Sequence, residues 1–412
     1  MSTSVAITSV HTQSESDSLM AATVGFYFAF RYCIEYLFFQ SSPRAGAAFG
    51  VGLNLLLFAV VVFHSLGPAP NSLRSTVEVP CFRPASAFLL FALCSLLWSA
   101  TISVAVAFAY WCGVAADLAM VVLLFRTGPV ELMASSVMKG YVWGAGFIAV
   151  ITWISPTMQD LRPGNDDFFS PNAIGLICAF GVFMAQFLSR SHRFWNLAAI
   201  FLAITLLRTL SKTTIVAFIV GEAFLLIRDS AISRRKLLMI LLSSGLVVAA
   251  FWRLIQAYFE VYTTTGNEAE TLTGRVGIWD YVFERSLEQP WIGHGFHSFR
   301  NVVPAFGIFE PWHAHNELLQ LFYAYGVVGI LLFFAVYGSF YLQTGRLRLS
   351  SHKALSYGLL LFIAIRGLGD TDRFELTLPL WFVFLMSSLM MHLNPPQLES
   401  LELGTPIKDG QS

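Results

Sequence analysis

Charged residues are scarce in this sequence. Asp, Glu, Lys and Arg make up 12% of its 412 residues, whereas hydrophobic residues make up 56%. In a soluble globular domain about a quarter of the residues are charged. The shortage therefore excludes an ordinary soluble fold, and together with a mean hydropathy of +0.65 it predicts a polytopic membrane protein.

Three further absences narrow the class of protein. The five cysteines show no paired spacing, which argues against a disulfide framework or a cysteine zinc site. The formal net charge is zero and the basic residues are dispersed, so nothing indicates nucleic-acid binding. The polar N-terminal segment lacks the basic start of a cleavable signal peptide. We expect this segment and the polar C-terminal tail to be disordered.

Long apolar runs, by contrast, recur along the whole chain. Each is long enough to cross about 30 Å of hydrocarbon as a helix, so we predict an all-α polytopic membrane protein of twelve transmembrane helices. The run at 88–125 is too long for one helix and is divided near Ser99-Ala100-Thr101. The twelve spans lie near 20–39, 44–66, 85–100, 103–125, 137–155, 171–189, 194–209, 212–228, 236–257, 314–341, 353–369 and 376–393.

The placement of arginine and lysine predicts the topology, because positive charge in short loops is retained on the cytoplasmic side. With a cytoplasmic N-terminus, most loop cations fall inside, and one long polar segment falls on the extracytoplasmic side. The expected parts are a disordered cytoplasmic N-terminus at 1–19, helices 1–9 at 20–258, an extracytoplasmic catalytic loop at 259–313, helices 10–12 at 314–393 and a cytoplasmic tail at 394–412.

The extracytoplasmic loop opens with an amphipathic helix. It is expected to start at Thr273 or Gly274, to end at Pro290 and to lie along the membrane surface. Arg275 falls in its first turn, where helix N-terminal amides also attract anions. It is therefore a candidate phosphate contact, the alternative being a solvated surface charge. The apolar positions of the helix are Val276, Trp279, Phe283 and Leu287.

Two cations, Arg208 and Lys212, flank the turn RTLSKTT between two spans. One helical turn apart, they would face a common spot and could clamp a phosphate group, the lysine as a point charge and the arginine as a fork. The alternative is that both extend to lipid headgroups.

The turn PWHAHNELLQ feeds directly into another span and places His315 and Asn316 at its mouth. A neutral imidazole can accept a proton from a hydroxyl group at neutral pH, so His315 is a candidate general base. Alternatively it is an interfacial residue at the helix cap, a role that suits Asn316 better. A zinc site built from His294, His297, His313 and His315 is a third interpretation, but no carboxylate or cysteine pattern supports it.

The penultimate span ends IRGLGDTDRFE. Arg366 there either adds to a cationic wall or pairs with Asp370 four residues later. Within the first span, Arg31 and Glu35 are expected to pair on one helix face. Together, the candidate substrate-binding residues are Arg208, Arg366, His313, Asn316 and Arg300, and the candidate catalytic residues are His315, Arg275 and Lys212.

Four motifs resemble the O-antigen ligase and polysaccharide polymerase superfamily of bacterial envelope glycosyltransferases. They are LSKTT at 210–214, TGRVGIW at 273–279, PWIGHGF at 290–296 and HAHNELLQLFYAYGVVG at 313–329. The resemblance covers about residues 170–345. It implies about twelve helices, one large periplasmic loop and a glycan donor carried on a polyprenyl diphosphate such as undecaprenyl diphosphate. Its sugar would pass to an acceptor hydroxyl without a metal or other cofactor.

The resemblance also implies roles for single residues. Arg275 corresponds to a loop arginine that contacts the diphosphate, and His315 to a histidine near the acceptor. Lys212 stands where many members have Ser-Arg, which favours the exopolysaccharide branch. We therefore interpret the chain as an inner-membrane enzyme that polymerises lipid-linked repeat units, with an O-antigen ligase and a glycolipid transporter or flippase as alternatives. Chain-length regulators and export proteins would be its partners.

Overall fold

The structure is a computed structural model that describes residues 2–39, 42–67, 77–158, 160–164, 169–229, 233–264, 272–300, 302–306, 311–371 and 379–393. These residues form thirteen helices and no β-sheet, which confirms the all-α prediction. The helices are α1 Ser2–Phe38, α2 Pro43–Ser65, α3 Phe82–Ser95, α4 Val104–Thr127, α5 Val130–Ile154, α6 Pro171–Leu188, α7 Phe194–Arg208, α8 Lys212–Arg228, α9 Arg234–Thr264, α10 Leu272–Ser286, α11 Glu317–Gly345, α12 Ser350–Gly367 and α13 Leu380–Leu393.

The helices follow the predicted spans. Each of the twelve apolar runs overlaps one helix, and the remaining helix, α10, is the predicted amphipathic one. The division near Ser99 is confirmed, since α3 ends at Ser95 and α4 begins at Val104. Among the described residues, six segments are long and apolar enough to cross a membrane: Ala45–Ser65, Val104–Thr127, Val130–Ile154, Pro171–Leu188, Leu237–Tyr258 and Glu317–Gly345. The protein is therefore a multi-pass membrane protein.

The N-terminal segment differs from expectation. Helix α1 begins at Ser2 and continues through the segment for which we predicted disorder. The second half of that segment is tied to its neighbours, because Asp17 is buried and its carboxylate lies 2.7 Å from Nε2 of His64 on α2. Ser18 also shares a hydrogen bond of 2.7 Å with Ser136 on α5. The polar residues near the start of α1 therefore belong to a helix that packs on α2 and α5, and not to a disordered segment.

Helices α1 and α5 cross at backbone contact distance. A Cβ atom on Gly140 would lie 1.8 Å from the carbonyl oxygen of Ala22, and one on Gly25 would lie 1.9 Å from that of Val137. Helices in a membrane associate through small residues that let backbones approach closely. These glycines are therefore required by packing and not by backbone conformation.

Buried charges within the helices are paired across helices. Arg31 donates to both carboxylate oxygens of Asp117 on α4, at 2.9 and 2.7 Å, and Asn54 donates to the same carboxylate at 3.0 Å. Arg31 therefore has a partner on another helix, while the side chain of the predicted partner, Glu35, lies outside the described part of the chain. An ion that enters an apolar region is stabilised by such a partner.

Helix α11 contains a sharp break, and the PWIGHGF turn packs against it. At Gly326 the backbone leaves helical geometry with a φ of +62°, and a Cβ atom there would lie 2.4 Å from the carbonyl carbon of Trp291. The PWIGHGF turn inserts at this break: the amides of His294 and Gly295 donate to Tyr323 and Ala324 at 2.9 and 2.8 Å. Glycine is needed here because both the φ angle and the backbone approach exclude a side chain.

The opposite side of the same turn binds the connection between α3 and α4. The amide of Ala100 donates to the carbonyl of His294 at 2.9 Å, and the hydroxyl of Ser99 donates to that of Phe296 at 2.6 Å. The glycine-rich turn therefore holds the loop that follows α10 onto two helical elements of the membrane part.

Candidate active site

Four of the predicted site residues, Arg275, His315, Asn316 and Arg366, meet at the C-terminal end of α12. Gly369 follows that helix, and a Cβ atom on it would lie 2.9 Å from Cγ2 of Thr213, in the first turn of α8. The carbonyl oxygen of Gly369 accepts a hydrogen bond from Nη1 of Arg275 on α10. The end of α12 thus meets the starts of α8 and α10 at one point.

A buried ion pair lies at this point. Nη2 of Arg366 is 3.2 Å from Oδ2 of Asp370, and their side chains are 9% and 2% exposed. Of the two roles left open for Arg366, pairing with Asp370 is therefore what the structure contains. The other oxygen of Asp370, Oδ1, lies 3.5 Å from Nδ1 of His315, close enough for a hydrogen bond after a small rotation of the ring.

Asp370 therefore links the arginine to the candidate base. Burial by itself would raise the pKa of this carboxyl, but the Arg366 guanidinium and the two nearby imidazoles hold it well below its usual range. The carboxylate is ionised at neutral pH. It can hold His315 with its Nδ1 proton turned inward, which leaves Nε2 as the basic nitrogen.

Local backbone geometry fixes the direction of His315. Its φ of +52° lies in the left-handed region, which histidine adopts more readily than most residues but still at a cost. Asn316 holds this conformation from the next position: its Oδ1 caps α11 by accepting from the amide of Leu319 at 3.0 Å, and its Nδ2 donates to the carbonyl of Leu368 at 3.1 Å. Asn316 therefore ties residues 313–315, called the histidine loop below, to the end of α12 through structural hydrogen bonds.

Two further contacts immobilise the histidine loop. The carbonyl of Ala314 accepts from the Trp279 indole at 2.8 Å, and its amide donates to Oε1 of Gln320 at 2.8 Å. His313 packs edge to face on His315, with ring centroids 4.2 Å apart. Burial, together with the positive neighbours, lowers the pKa of His313 to about 3. The His313 imidazole is therefore uncharged at neutral pH and lines the site beside His315.

The predicted amphipathic helix is present as α10, but it has a second apolar face that the sequence pattern did not indicate. Ile278 and Val282 are 1% and 0% exposed and pack inward, whereas Val276 and Phe283 of the predicted face are about half exposed. Arg275 lies on the inward side, and this orientation carries its guanidinium to Gly369. The sequence pattern indicated one apolar face and missed the one that positions the arginine.

The expectation that Arg208 and Lys212 lie one helical turn apart on a helix is wrong. Helix α7 ends at Arg208 and α8 begins at Lys212, and between them Leu210 has a φ of +53°, so no helical turn connects the two cations. Arg208 donates to the carbonyl of Leu161 at 3.0 Å. The Lys212 ammonium lies 5.3 Å from the centroid of the Tyr258 ring on α9. Lys212 lies next to the site through its neighbour Thr213.

Arg300 reaches the edge of the histidine loop. Its guanidinium stacks on Trp312 at 4.1 Å from the ring centroid, one residue before His313. Because a guanidinium over an indole is stabilised by the ring's negative face, this contact places a positive charge beside the loop.

The four-histidine zinc site is also wrong. The His294 ring stacks on Tyr323 with centroids 4.5 Å apart, and the His297 ring stacks on Tyr110 at 5.1 Å. Both side chains therefore pack the glycine-rich turn against its neighbours. Burial, with the nearby Arg300 charge, lowers the pKa of His297 to about 4.

Within the described residues, the group whose ligand atoms lie close enough for a metal ion, within 4.8 Å, is His313, His315 and Asp370. The Arg366 guanidinium on Asp370 already neutralises that carboxylate and would repel a divalent ion. The role of Asp370 as the partner of His315 was missed from sequence, where it was considered only as a partner of Arg366. Its signal was an acidic residue four positions after Arg366, which lies in the last turn of α12.

Comparisons with known proteins agree with the motifs. Residues 197–334, about a third of the chain, match the family model for O-antigen ligase. This range contains most of α7, all of α8 to α10, the glycine-rich turn, the histidine loop and the first part of α11, and it stops before Arg366 and Asp370. The resemblance to the O-antigen ligase and polysaccharide polymerase superfamily is thereby confirmed for this part of the chain.

A protein of Rickettsia conorii, named as a candidate polysaccharide ligase, is 26% identical over 129 residues. The similar region spans 28% of this chain and 31% of the relative. The chain thus matches about a third of that protein's length. Both likenesses are to proteins described as ligases, and each covers about a third of the chain or less.

Proposed function

We propose that this protein is a membrane glycosyltransferase that moves an oligosaccharide from a polyprenyl diphosphate to an acceptor hydroxyl, in a reaction that needs no metal ion. The observation that carries the proposal is the meeting of Arg275, His315 and the Arg366–Asp370 pair at the end of α12. Positive charge for a leaving diphosphate and a base for an attacking hydroxyl therefore lie side by side.

The arginine charges suit the leaving group. When the bond between the anomeric carbon and the diphosphate breaks, the leaving group takes the electron pair and gains negative charge. Preorganised cations in a partly buried site stabilise that charge. Arg275, anchored on the carbonyl of Gly369, presents its remaining guanidinium donors to it. Lys212, at the adjacent start of α8, would contact the distal phosphate.

The histidine suits the nucleophile. Nε2 of His315 takes the proton of the acceptor hydroxyl as its oxygen bonds to the anomeric carbon. The imidazolium that forms is stabilised by Asp370, whose carboxylate lies 3.5 Å from Nδ1. Attack from the face opposite the diphosphate inverts the configuration at that carbon. A product whose linkage retains the donor's anomeric configuration would contradict this path.

The acceptor distinguishes two forms of the proposal. In the first, which we favour, the acceptor is another lipid-linked repeat unit, so the enzyme polymerises exopolysaccharide; Lys212 in the LSKTT motif supports this form. In the second the acceptor is a different glycolipid, so the enzyme is a ligase. The descriptions of the matching family and of the relative support the second form. A deletion strain decides between them: single repeat units on the carrier indicate a polymerase, and long unattached chains indicate a ligase.

The same proposal sets the orientation. The site would face the periplasm, with the protein in the bacterial inner membrane and both termini in the cytoplasm. Reaction of cysteines introduced at Arg285 and Arg348 with a membrane-impermeant thiol reagent tests this: labelling at position 285 alone supports it, and labelling at position 348 alone contradicts it.

A direct test uses purified protein with a lipid-linked donor and acceptor. His315→Ala and Arg275→Gln should each lower turnover by about 10²-fold or more, the usual effect of removing a general base or one stabilising donor. Arg285→Gln is the matched control, because Arg285 lies on the same helix but is exposed and paired with Glu288. Full activity of both site variants would remove the mechanism.

A further inference from the structure

Helix α8 begins with an unusual use of its N-cap residue. A serine at this position usually accepts a hydrogen bond from an amide of the first helical turn. Within the described part of the chain, the Ser211 hydroxyl makes no such bond to an amide of α8. It donates instead to Oδ1 of Asn172 on α6, at 2.7 Å, and lies 2.9 Å from Oγ1 of Thr214. Ser211 therefore joins the start of α8 to the start of α6.

The two helix starts pack closely at this junction. Ser211 and Thr214 are 1% and 0% exposed. Gly175 of α6 faces them, since a Cβ atom on it would lie 3.3 Å from Cγ2 of Thr214 and 3.5 Å from Cβ of Ser211. The lack of a side chain at Gly175 lets α6 approach closely enough for the short side chain of Asn172 to reach the hydroxyl. The junction is a buried polar contact between helices, where the loss of one partner is costly.

The junction also fixes the residue that follows it. Leu210 enters the turn with a φ of +53°, a left-handed conformation that persists only where the surroundings hold it. The Lys212 side chain is exposed, but its backbone lies between two residues that are held. Ser211 is bound by α6, and Thr213 packs against Gly369, where a Cβ atom would lie 2.9 Å from Cγ2 of the threonine. These two contacts set the direction in which Lys212 leaves the backbone.

We propose that Asn172 is a positioning residue that holds the start of α8 so that the Lys212 ammonium stays in place for the reaction, an inference that rests on the proposed function. A lysine carries its charge on a flexible four-carbon stem, so the place of the ammonium depends on where its backbone is fixed. Here the ammonium lies 5.3 Å from the centroid of the Tyr258 ring. Without Asn172, the Ser211 hydroxyl is free to turn and cap α8, and the start of the helix shifts with it.

Ser170 supplies a matched control. It is the N-cap of α6, and its side chain accepts a hydrogen bond from the amide of Ala173 at 3.3 Å. Ser170→Ala therefore disturbs the start of α6 without removing the bond between Asn172 and Ser211. Ser211→Ala is a second test variant, because it removes that bond from the other side. It replaces Asn172→Ala if thermal unfolding shows that the latter does not fold.

Nuclear magnetic resonance of lysines methylated with carbon-13 tests the position without turnover. The resonance of Lys212 is the one that Lys212→Arg lacks. In the wild-type protein the Tyr258 ring should shift this resonance, and Tyr258→Leu should remove the shift. Asn172→Ala should largely remove it as well, whereas Ser170→Ala should leave it in place. A wild-type resonance at the position of a solvated lysine, or a shift that survives Asn172→Ala, would overturn the proposal.

A double-mutant cycle tests whether the position serves transfer. Asn172→Ala should lower kcat/KM for the lipid-linked donor by about fivefold, the usual effect of losing one hydrogen bond. In a Lys212→Met background it should lower kcat/KM no further, because the two changes act through the same ammonium. Equal losses in both backgrounds would mean that Asn172 acts on stability alone, which contradicts the proposal. Ser170→Ala should keep kcat/KM close to that of the wild type.

The outcomes separate this inference from the proposed function. If the wild-type protein transfers no oligosaccharide, the proposed function fails, whatever the lysine resonance shows. If it transfers oligosaccharide but Asn172→Ala changes neither the resonance of Lys212 nor kcat/KM, the function stands and Asn172 does not position the lysine.

Discussion

Replacing Asp370 by Asn removes one negative charge from the centre of the proposed site and leaves the shape of the side chain almost unchanged. The carboxylate lies 3.2 Å from the Arg366 guanidinium and 3.5 Å from the His315 imidazole. At an effective dielectric constant of about 20, unit charges at either distance attract by about 5 kcal/mol. The imidazolium formed during transfer therefore loses up to that amount, and kcat/KM should fall by about 10³-fold.

The same change also leaves Arg366 buried without its partner. Breaking one side of a buried ion pair costs about 3–5 kcal/mol, so Asp370→Asn should be less stable as well as less active. The double variant Arg366→Met with Asp370→Leu removes both charges. It should recover much of the thermal stability, because apolar pairs of similar volume replace buried ion pairs well, but none of the turnover.

Thermal unfolding in nanodiscs and steady-state transfer from a lipid-linked donor measure the two effects separately. If activity falls only as far as stability does, and the double variant regains activity along with its stability, Asp370 has a structural role only. Turnover of Asp370→Asn within about twofold of wild type would refute the coupling of His315 to Asp370.

Three further predictions follow from close contacts and burial. Gly140→Ala should destabilise the protein by about 3 kcal/mol or more, because its Cβ would lie 1.8 Å from a facing carbonyl oxygen; Gly146→Ala, with open space around it, is the control in thermal unfolding, and equal melting points would contradict the crossing. Gly326→Ala should displace the glycine-rich turn and abolish transfer, whereas Gly338→Ala on the same helix should not; unchanged turnover in both would show that the turn does not support the site. The His313 imidazole should stay neutral at about pH 5, because its pKa is lowered to about 3; nitrogen-15 NMR of labelled histidine measures this, and a titration near neutral pH would contradict the burial argument.

Much of the fold could be predicted from the sequence because membrane helices obey a simple rule. A chain in hydrocarbon must satisfy its backbone hydrogen bonds within each segment, so an apolar run of sufficient length becomes a helix. The helices that overlap the twelve predicted runs, and the break near Ser99, followed from that rule. The rule failed at the N-terminus, where polar residues such as Asp17 continue a helix because partners on other helices compensate them.

The site could be predicted only in part, because residue type suggests chemistry but not direction. Arg275, His315 and Arg366 were identified from sequence as candidates, and they do meet. Arg208 and Lys212 were expected to act together from their spacing alone. A single left-handed residue between them, Leu210, sends their side chains to different partners.

The sequence by itself determined that this chain crosses a membrane repeatedly, since hydrophobicity is a sum over neighbouring residues and requires no knowledge of distant ones. It also supplied the basic, acidic and imidazole groups from which a site could be built. Only the tertiary structure decided which of them act together. The ion pair of Arg366 with Asp370, the approach of His315 and the anchor of Arg275 on Gly369 depend on where three helix ends and one loop meet, and that meeting depends on contacts between residues far apart in the chain.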